Sequence, residues 1–93
     1  MSTEQALTAR IFLHALTEGG RWSVREMAMD LRVDYQSAKD AMSSMSETGS
    51  LIRHEKSDEA KTLTYSVTER CRLPSGLTLM EVTRALRKAG ETV

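Results

Sequence analysis

The sequence predicts a small α+β domain, mostly helical, with one β-hairpin and a further helix behind it. Three observations predict it. Residues 23–31 and 34–48 carry two helix patterns with almost nothing between them, a period-two pattern follows over residues 51–68, and a separately capped helix opens at residue 78. Two helices joined by so short a turn form a helix-turn-helix, and a hairpin directly after the second helix is a wing. The expected architecture is therefore a winged helix-turn-helix: three helices plus a hairpin wing, with an additional C-terminal helix. Residues 1–93 form one domain, a length adequate for a core without staples.

The first helix is read over residues 2–18. Ser2 and Gln5 can form a capping box. Ala9, Phe12, Leu13 and Leu16 recur at helical spacing, while Leu7 and Ile11 add apolar surface at another angle. So wide an apolar surface predicts burial on more than one side, within the domain and in a dimer. His14 is read as a polar residue at the edge of that surface. Gly19 and Gly20 end the helix.

The second helix, 23–31, opens with Ser23 and Glu26 as S-x-x-E, a capping box in which each residue bonds the other's backbone N–H. Val24, Met27, Ala28 and Leu31 form its apolar face, and Trp22 precedes the cap, where it can staple against Met27. Val33 plugs the turn. Asp34 caps the third helix, 34–48, whose inward face is Ala38, Ala41, Met42 and Met45. Gly49 supplies the left-handed stop.

The hairpin is read from Leu51 and Ile52 outward and from the alternation of Leu63, Tyr65 and Val67 against Thr62, Thr64, Ser66 and Thr68. Its tip carries Lys56 and Lys61 together with Asp58 and Glu59. A connector with Pro74 and Gly76 follows, in which Cys71 is read as a half-buried structural thiol. The last helix, 78–89, has Thr78 and Glu81 as T-x-x-E, a Leu77–Val82 staple, a stripe of Leu79, Val82 and Leu86, and Gly90 as its stop.

Composition narrows the function. Apolar residues are 40% and charged residues 28%, the balance of a soluble globular protein, while 4% aromatics and six Met predict an aliphatic, Met-rich core. No apolar run is long enough for a membrane span, the N-terminal MSTEQALTAR lacks the pattern of a secretory signal, and a single Cys cannot form a disulfide within the chain. These features predict a cytoplasmic protein without membrane contact. Two His and one Cys fall in no metal-ligand spacing, so neither a metal nor a cofactor is expected. No phosphate-cradling glycine loop, nucleophile elbow or H-E-x-x-H is present, and the expectation is that the chain is not an enzyme.

In a helix-turn-helix reader, the start of the second helix meets base edges in the major groove. Tyr35, Gln36, Ser37, Lys39 and Ser43 lie on that outward face. Gln36 can bond adenine bidentately, Ser37 several bases, and Lys39 a phosphate or guanine. Arg25, Arg53, Lys56 and Lys61 are candidates for backbone phosphates. The candidate dimer interface is Leu7, Ile11, Leu79, Val82 and Leu86. Basic and acidic residues are 13 each, for a net charge of +0, whereas DNA-binding domains carry a basic footprint. DNA binding therefore requires charge segregated by face. A continuous positive face over Arg25, Arg32, Lys39, Arg53 and Lys61 favours DNA, and a mixed face favours a protein-interaction module for another regulatory protein.

The run Asp34, Tyr35, Gln36, Ser37, Ala38, followed by Gly49 and by the hairpin with Tyr65, resembles the recognition-helix opening of small winged-helix regulators of enterobacterial pilus and fimbrial operons. More loosely it is similar to winged-helix regulators of phages and plasmids. The resemblance covers roughly residues 8–68. It implies a regulator of transcription that binds double-stranded DNA, with Tyr35, Gln36 and Lys39 facing the groove and Ala38 packed inward. The acidic hairpin tip and the helix after Thr78 depart from that pattern, and the second favours a homodimer.

Overall fold

A computed structural model of the chain describes residues 3–56, 61–68, 70–74 and 76–91, with side chains from residue 7 to residue 88 of these. The expected cap at Ser2, the tip residues Ser57, Asp58, Glu59 and Ala60, and the connector residues Glu69 and Ser75 lie outside the described residues. The described part comprises α1 (Thr3–Glu18), α2 (Val24–Leu31), α3 (Tyr35–Thr48), β1 (Ile52–His54), β2 (Thr64–Ser66) and α4 (Leu79–Glu91). This is a mostly helical α+β fold with an antiparallel hairpin.

The helix boundaries follow their local chemistry. At Ser23 both halves of the capping box form: the Glu26 N–H donates to Ser23 Oγ at 3.1 Å, and the Ser23 N–H to Glu26 Oε1 at 3.2 Å. The same reciprocal pair forms at Thr78 and Glu81, at 2.9 and 3.2 Å. Such boxes satisfy two donors that the helix itself leaves orphaned. α3 stops at Gly49, whose φ of 89° is open to glycine at no steric cost. α2 stops instead at Arg32, a non-glycine residue at φ 57° and ψ 47°. The Arg32 N–H donates to the Met29 carbonyl and the Val33 N–H to the Ala28 carbonyl at 3.0 Å, which closes α2 as a Schellman motif. α4 runs one residue past Gly90, so that glycine is not its stop.

The core lies where α1 crosses α2 and α3. Ile11 and Phe12 of α1, Met27 of α2 and Met42 of α3 are fully buried. Each such side chain contributes about 1.5–3 kcal/mol through burial. Ala38 and Ala41, also buried, keep the α2 and α3 backbones close, and a larger residue there would overpack the crossing by about 1–3 kcal/mol. Leu51 and Tyr65 close the core from the hairpin, and Leu77 and Val82 close it from the start of α4, which packs against α1.

The hairpin is shorter than the alternation over residues 51–68 suggests. β1 and β2 pair only at Ile52↔Ser66, Arg53↔Tyr65 and His54↔Thr64. The pairing is extended by Trp22, whose N–H donates to the Tyr65 carbonyl at 2.7 Å while the Tyr65 N–H donates to the Trp22 carbonyl at 2.8 Å. The connector is anchored at Arg72, whose N–H donates to the Gly49 carbonyl at 3.0 Å, and Cys71 is half-buried against the core.

The residues expected at a dimer interface differ in their exposure. Leu7, Ile11 and Val82 are buried within a single chain, at 8%, 0% and 7% exposure, and Leu86 is half-buried against the same core. Leu7, Ile11 and Val82 therefore present little surface to a partner, and Leu86 presents part of its own. Leu79 turns the other way and is 70% exposed, beside Met80 at 71%. The apolar surface of α1 is wide because α2, α3 and α4 all pack on it. No helix among the described residues is long and apolar enough to cross a membrane.

Candidate nucleic-acid interface

The Trp22–Tyr65 bridge brings the N-terminus of α2 beside the hairpin, and α3 runs past both. The three elements enclose an open groove of about 580 Å³. α2 and its cap contribute Ser23, Val24 and Arg25; α3 contributes Tyr35, Lys39 and Ser43; the hairpin contributes Arg53, Thr62, Leu63 and Tyr65. Tyr35, Lys39 and Ser43 are spaced by one turn each, so they form a single edge of α3. Arg53 pairs directly with Tyr65 across the hairpin and so shares its face. A second depression of about 550 Å³ continues from the first, lined by Arg25, Ala28, Met29, Arg32, Val33 and Tyr35. Arg25 and Tyr35 belong to both. Four cations, Arg32, Arg25, Lys39 and Arg53, thus follow one surface around a half-exposed tyrosine, and no carboxylate among the described residues lines either depression.

Four carboxylates of α2, α3 and the turn between them are held in hydrogen bonds, without loss of their charge. Glu26 is held in the α2 capping box. Asp30 meets His14 Nε2 at 3.1 Å, and the His14 ring in turn contacts Trp22 edge-on, with centroids 4.9 Å apart. Asp34 accepts from the Ser37 hydroxyl at 2.7 Å and from the Ser37 N–H at 2.9 Å. These two bonds, the hydroxyl's first, hold the Asp34 carboxyl below the usual aspartate range. Asp40 accepts from Gln36 Nε2 at 2.9 Å. Within the described residues, Arg25, Arg32 and Lys39 make no ion pair, and Arg53 pairs only with the exposed Glu55 at 3.0 Å. Exposed pairs of that kind contribute little and exchange readily for another anion.

Five of the nine residues singled out for DNA contact, Arg25, Tyr35, Lys39, Ser43 and Arg53, therefore meet in one groove. Gln36 and Ser37 do not. Gln36 is exposed on the outer crest of α3, and Ser37 is exposed but tied to the Asp34 cap by both its N–H and its hydroxyl. Lys56 and Lys61 are exposed on either side of the hairpin tip and line neither depression. Thr62, Leu63 and the exposed Met29 belong to the surface without having been expected there. Their positions follow from hairpin register and from the left-handed turn at Arg32, which composition and periodicity do not specify.

A third depression of about 490 Å³, on α4, is lined by Leu79, Met80, Thr83, Arg84 and Arg87. No cluster of His, Cys, Asp and Glu among the described residues could hold a metal ion. No protein-family model, no curated protein and no solved structure matches the chain.

Proposed function

We propose that this chain is a winged-helix, sequence-specific regulator of transcription that binds double-stranded DNA. α3 serves as recognition helix in the major groove, and the base of the hairpin lies along the backbone. The single observation that carries the reading is the segregation of charge: Arg25, Arg32, Lys39 and Arg53 lie around Tyr35 on one surface with no carboxylate among its described lining residues, Glu55 meeting it only as the exposed partner of Arg53. That is the basic footprint a phosphate backbone requires, in a chain whose net charge is +0. We further propose that it acts as a homodimer, reading two half-sites related by a two-fold axis. Of the side chains first considered for that contact, Leu79 is available, and Met80 beside it extends the apolar surface.

The test is binding of the full chain to duplex fragments, including its own upstream region, at a series of salt concentrations. Affinity that falls linearly on a log–log plot with salt, and that survives competitor DNA on one fragment only, supports the reading. No retention of any duplex at low salt refutes it.

A second reading, an interaction module for another regulatory protein, rests on the exposed Met29, which lies beside Tyr35 between Arg25 and Arg32. Exposed apolar side chains rimmed by charge also suit a protein partner. Recovery of one stoichiometric protein partner together with no duplex binding selects this reading over the first.

A further inference from the structure

Gln36 and Asp40 stand one turn apart on the exposed crest of α3, and the Gln36 Nε2–H donates to Asp40 Oδ1 at 2.9 Å. No other polarity is open to the pair, because an ionised carboxylate only accepts. The contact engages one N–H of the amide and one oxygen of the carboxylate. A primary amide has two N–H bonds and one carbonyl oxygen, and a carboxylate has two oxygens. One N–H and the Oε1 of Gln36 remain free, as does Asp40 Oδ2. Both side chains lie away from the cationic groove, which Tyr35, Lys39 and Ser43 line from the neighbouring edge of the same helix.

We propose that Gln36 and Asp40 act as one composite base reader, in which Asp40 fixes the Gln36 amide and itself selects a neighbouring cytosine. The inference rests on the DNA-binding reading above and assigns the specificity of that site. The reader requires that Asp40 take the N–H anti to the carbonyl, which leaves the syn N–H and Oε1 of Gln36 as one edge. That edge matches adenine N7 and N6–H in the major groove. Asp40 Oδ2 is an acceptor, which matches cytosine N4–H. The Cβ atoms of side chains one turn apart are about 5–6 Å from each other and the two groups touch at 2.9 Å, so both fit against neighbouring base pairs. A carboxylate in this place is repelled by phosphate but satisfied by a base donor. It therefore weakens binding to arbitrary sequence while leaving the chosen site intact, and the cations that hold the backbone stand to one side of it. Asp40 is thus a specificity-determining residue, and Gln36 reads through it.

The test uses the full-length protein, Asp40→Asn and Asp40→Ala, each selected against a pool of duplexes with randomised sequence. Thermal melting checks that the substitutions, both on an exposed helical position, leave the fold intact. The wild type is expected to enrich sites in which an adenine neighbours a cytosine. In Asp40→Asn the side-chain oxygen still accepts from Gln36, but the outward atom becomes an N–H donor. The adenine preference should persist, and the cytosine should give way to guanine or thymine, which present acceptors. Asp40→Ala should lose about tenfold or more of the preference at both positions and bind unrelated duplexes more tightly than the wild type. Both variants selecting the wild-type sequence would overturn the composite reader while leaving DNA binding standing. A wild-type protein that retains no duplex overturns the DNA-binding reading itself, and this inference with it.

Discussion

Trp22 and Tyr65, far apart in the chain, exchange both backbone hydrogen bonds, at 2.7 and 2.8 Å. Through this bridge the segment between α1 and α2 lies beside β2 at one residue pair, and the entry of α2 is tied to the hairpin. The bridge adds to the core packing of Leu51 and Tyr65 in fixing Arg53 relative to Arg25.

The side chain at the same point closes the core. Tyr65 is 2% exposed, and truncating a buried aromatic to Ala costs about 3–5 kcal/mol. Tyr65→Ala should lose stability on that scale in urea unfolding, and Tyr65→Phe, which keeps the ring, less than about 1.5 kcal/mol. A Tyr65→Ala protein with an unchanged midpoint would mean that the hairpin packs without its anchor.

Much of this arrangement was legible in the residues. The starts of α2, α3 and α4 are written in side chains that bond their own backbone within three residues, Ser23 with Glu26, Asp34 with Ser37 and Thr78 with Glu81. Such signals are local and survive tertiary context. The Trp22–Tyr65 bridge and the His14–Asp30 contact join distant segments through groups that any residue or many polar pairs supply, so no pattern announces them. The burial of Leu7, Ile11 and Val82 within a single chain is illegible for a related reason. Periodicity reveals that a face is covered, but not whether the cover comes from the same chain. Five residues of the candidate site were found from residue type and position on α2, α3 and the hairpin, whereas the path of the groove between them depends on the hairpin's register.

Arg32 ends α2 in the left-handed region, where a Cβ costs roughly 1–2 kcal/mol relative to glycine. Arg32→Gly relieves that strain but makes the unfolded chain more flexible. The net expectation is a gain of up to about 1 kcal/mol in stability together with weaker DNA binding through the lost cation. Chemical denaturation and duplex titration on the same variant separate the two effects. Loss of stability on introducing the glycine would show that the Arg32 stem contributes more to packing than its backbone conformation costs.

Asp34 makes the stability of α3 depend on pH in one direction. Its carboxyl titrates below the usual range in the folded chain because the ion accepts two bonds from Ser37. The stabilisation is therefore complete above the unfolded value of about 3.9 and is lost as pH falls through the lower folded value. Asp34→Ala should be less stable than the wild type at neutral pH, and the gap should narrow below about pH 4. Asp34→Asn, an equally good cap without a charge to titrate, should remove that pH dependence. Urea midpoints across the acid range measure it, and a gap that stays constant down to the acid limit would contradict the role of the ionised cap.

The cations of the groove can be counted by salt. Each phosphate neutralised on a duplex adds about 0.9 to the slope of log affinity against log salt. Arg25→Ala, Lys39→Ala and Arg53→Ala should each lower the slope by about that amount per protomer. Lys56→Ala and Lys61→Ala, whose side chains lie outside both depressions, should change it less. Equal effects from all five substitutions would mean that the contact surface extends to the hairpin tip and is not set by the groove.

The two sides of α4 should respond to charge in opposite ways. Val82 is 7% exposed and sits among Leu77 and the core residues of α1, so Val82→Asp places an unpaired carboxylate where no donor is available to it. It should unfold the domain or lower its melting temperature steeply. Leu79 and Met80 are 70% and 71% exposed, and replacing both with Glu removes apolar surface from water without opening a cavity. The double variant should melt like the wild type. If two copies associate through this end of α4, sedimentation should show monomers for the double variant where the wild type is dimeric. A double variant that remains dimeric moves the contact to another face, and a Val82→Asp protein that stays folded but becomes monomeric would return Val82 to the interface and contradict its place in the core.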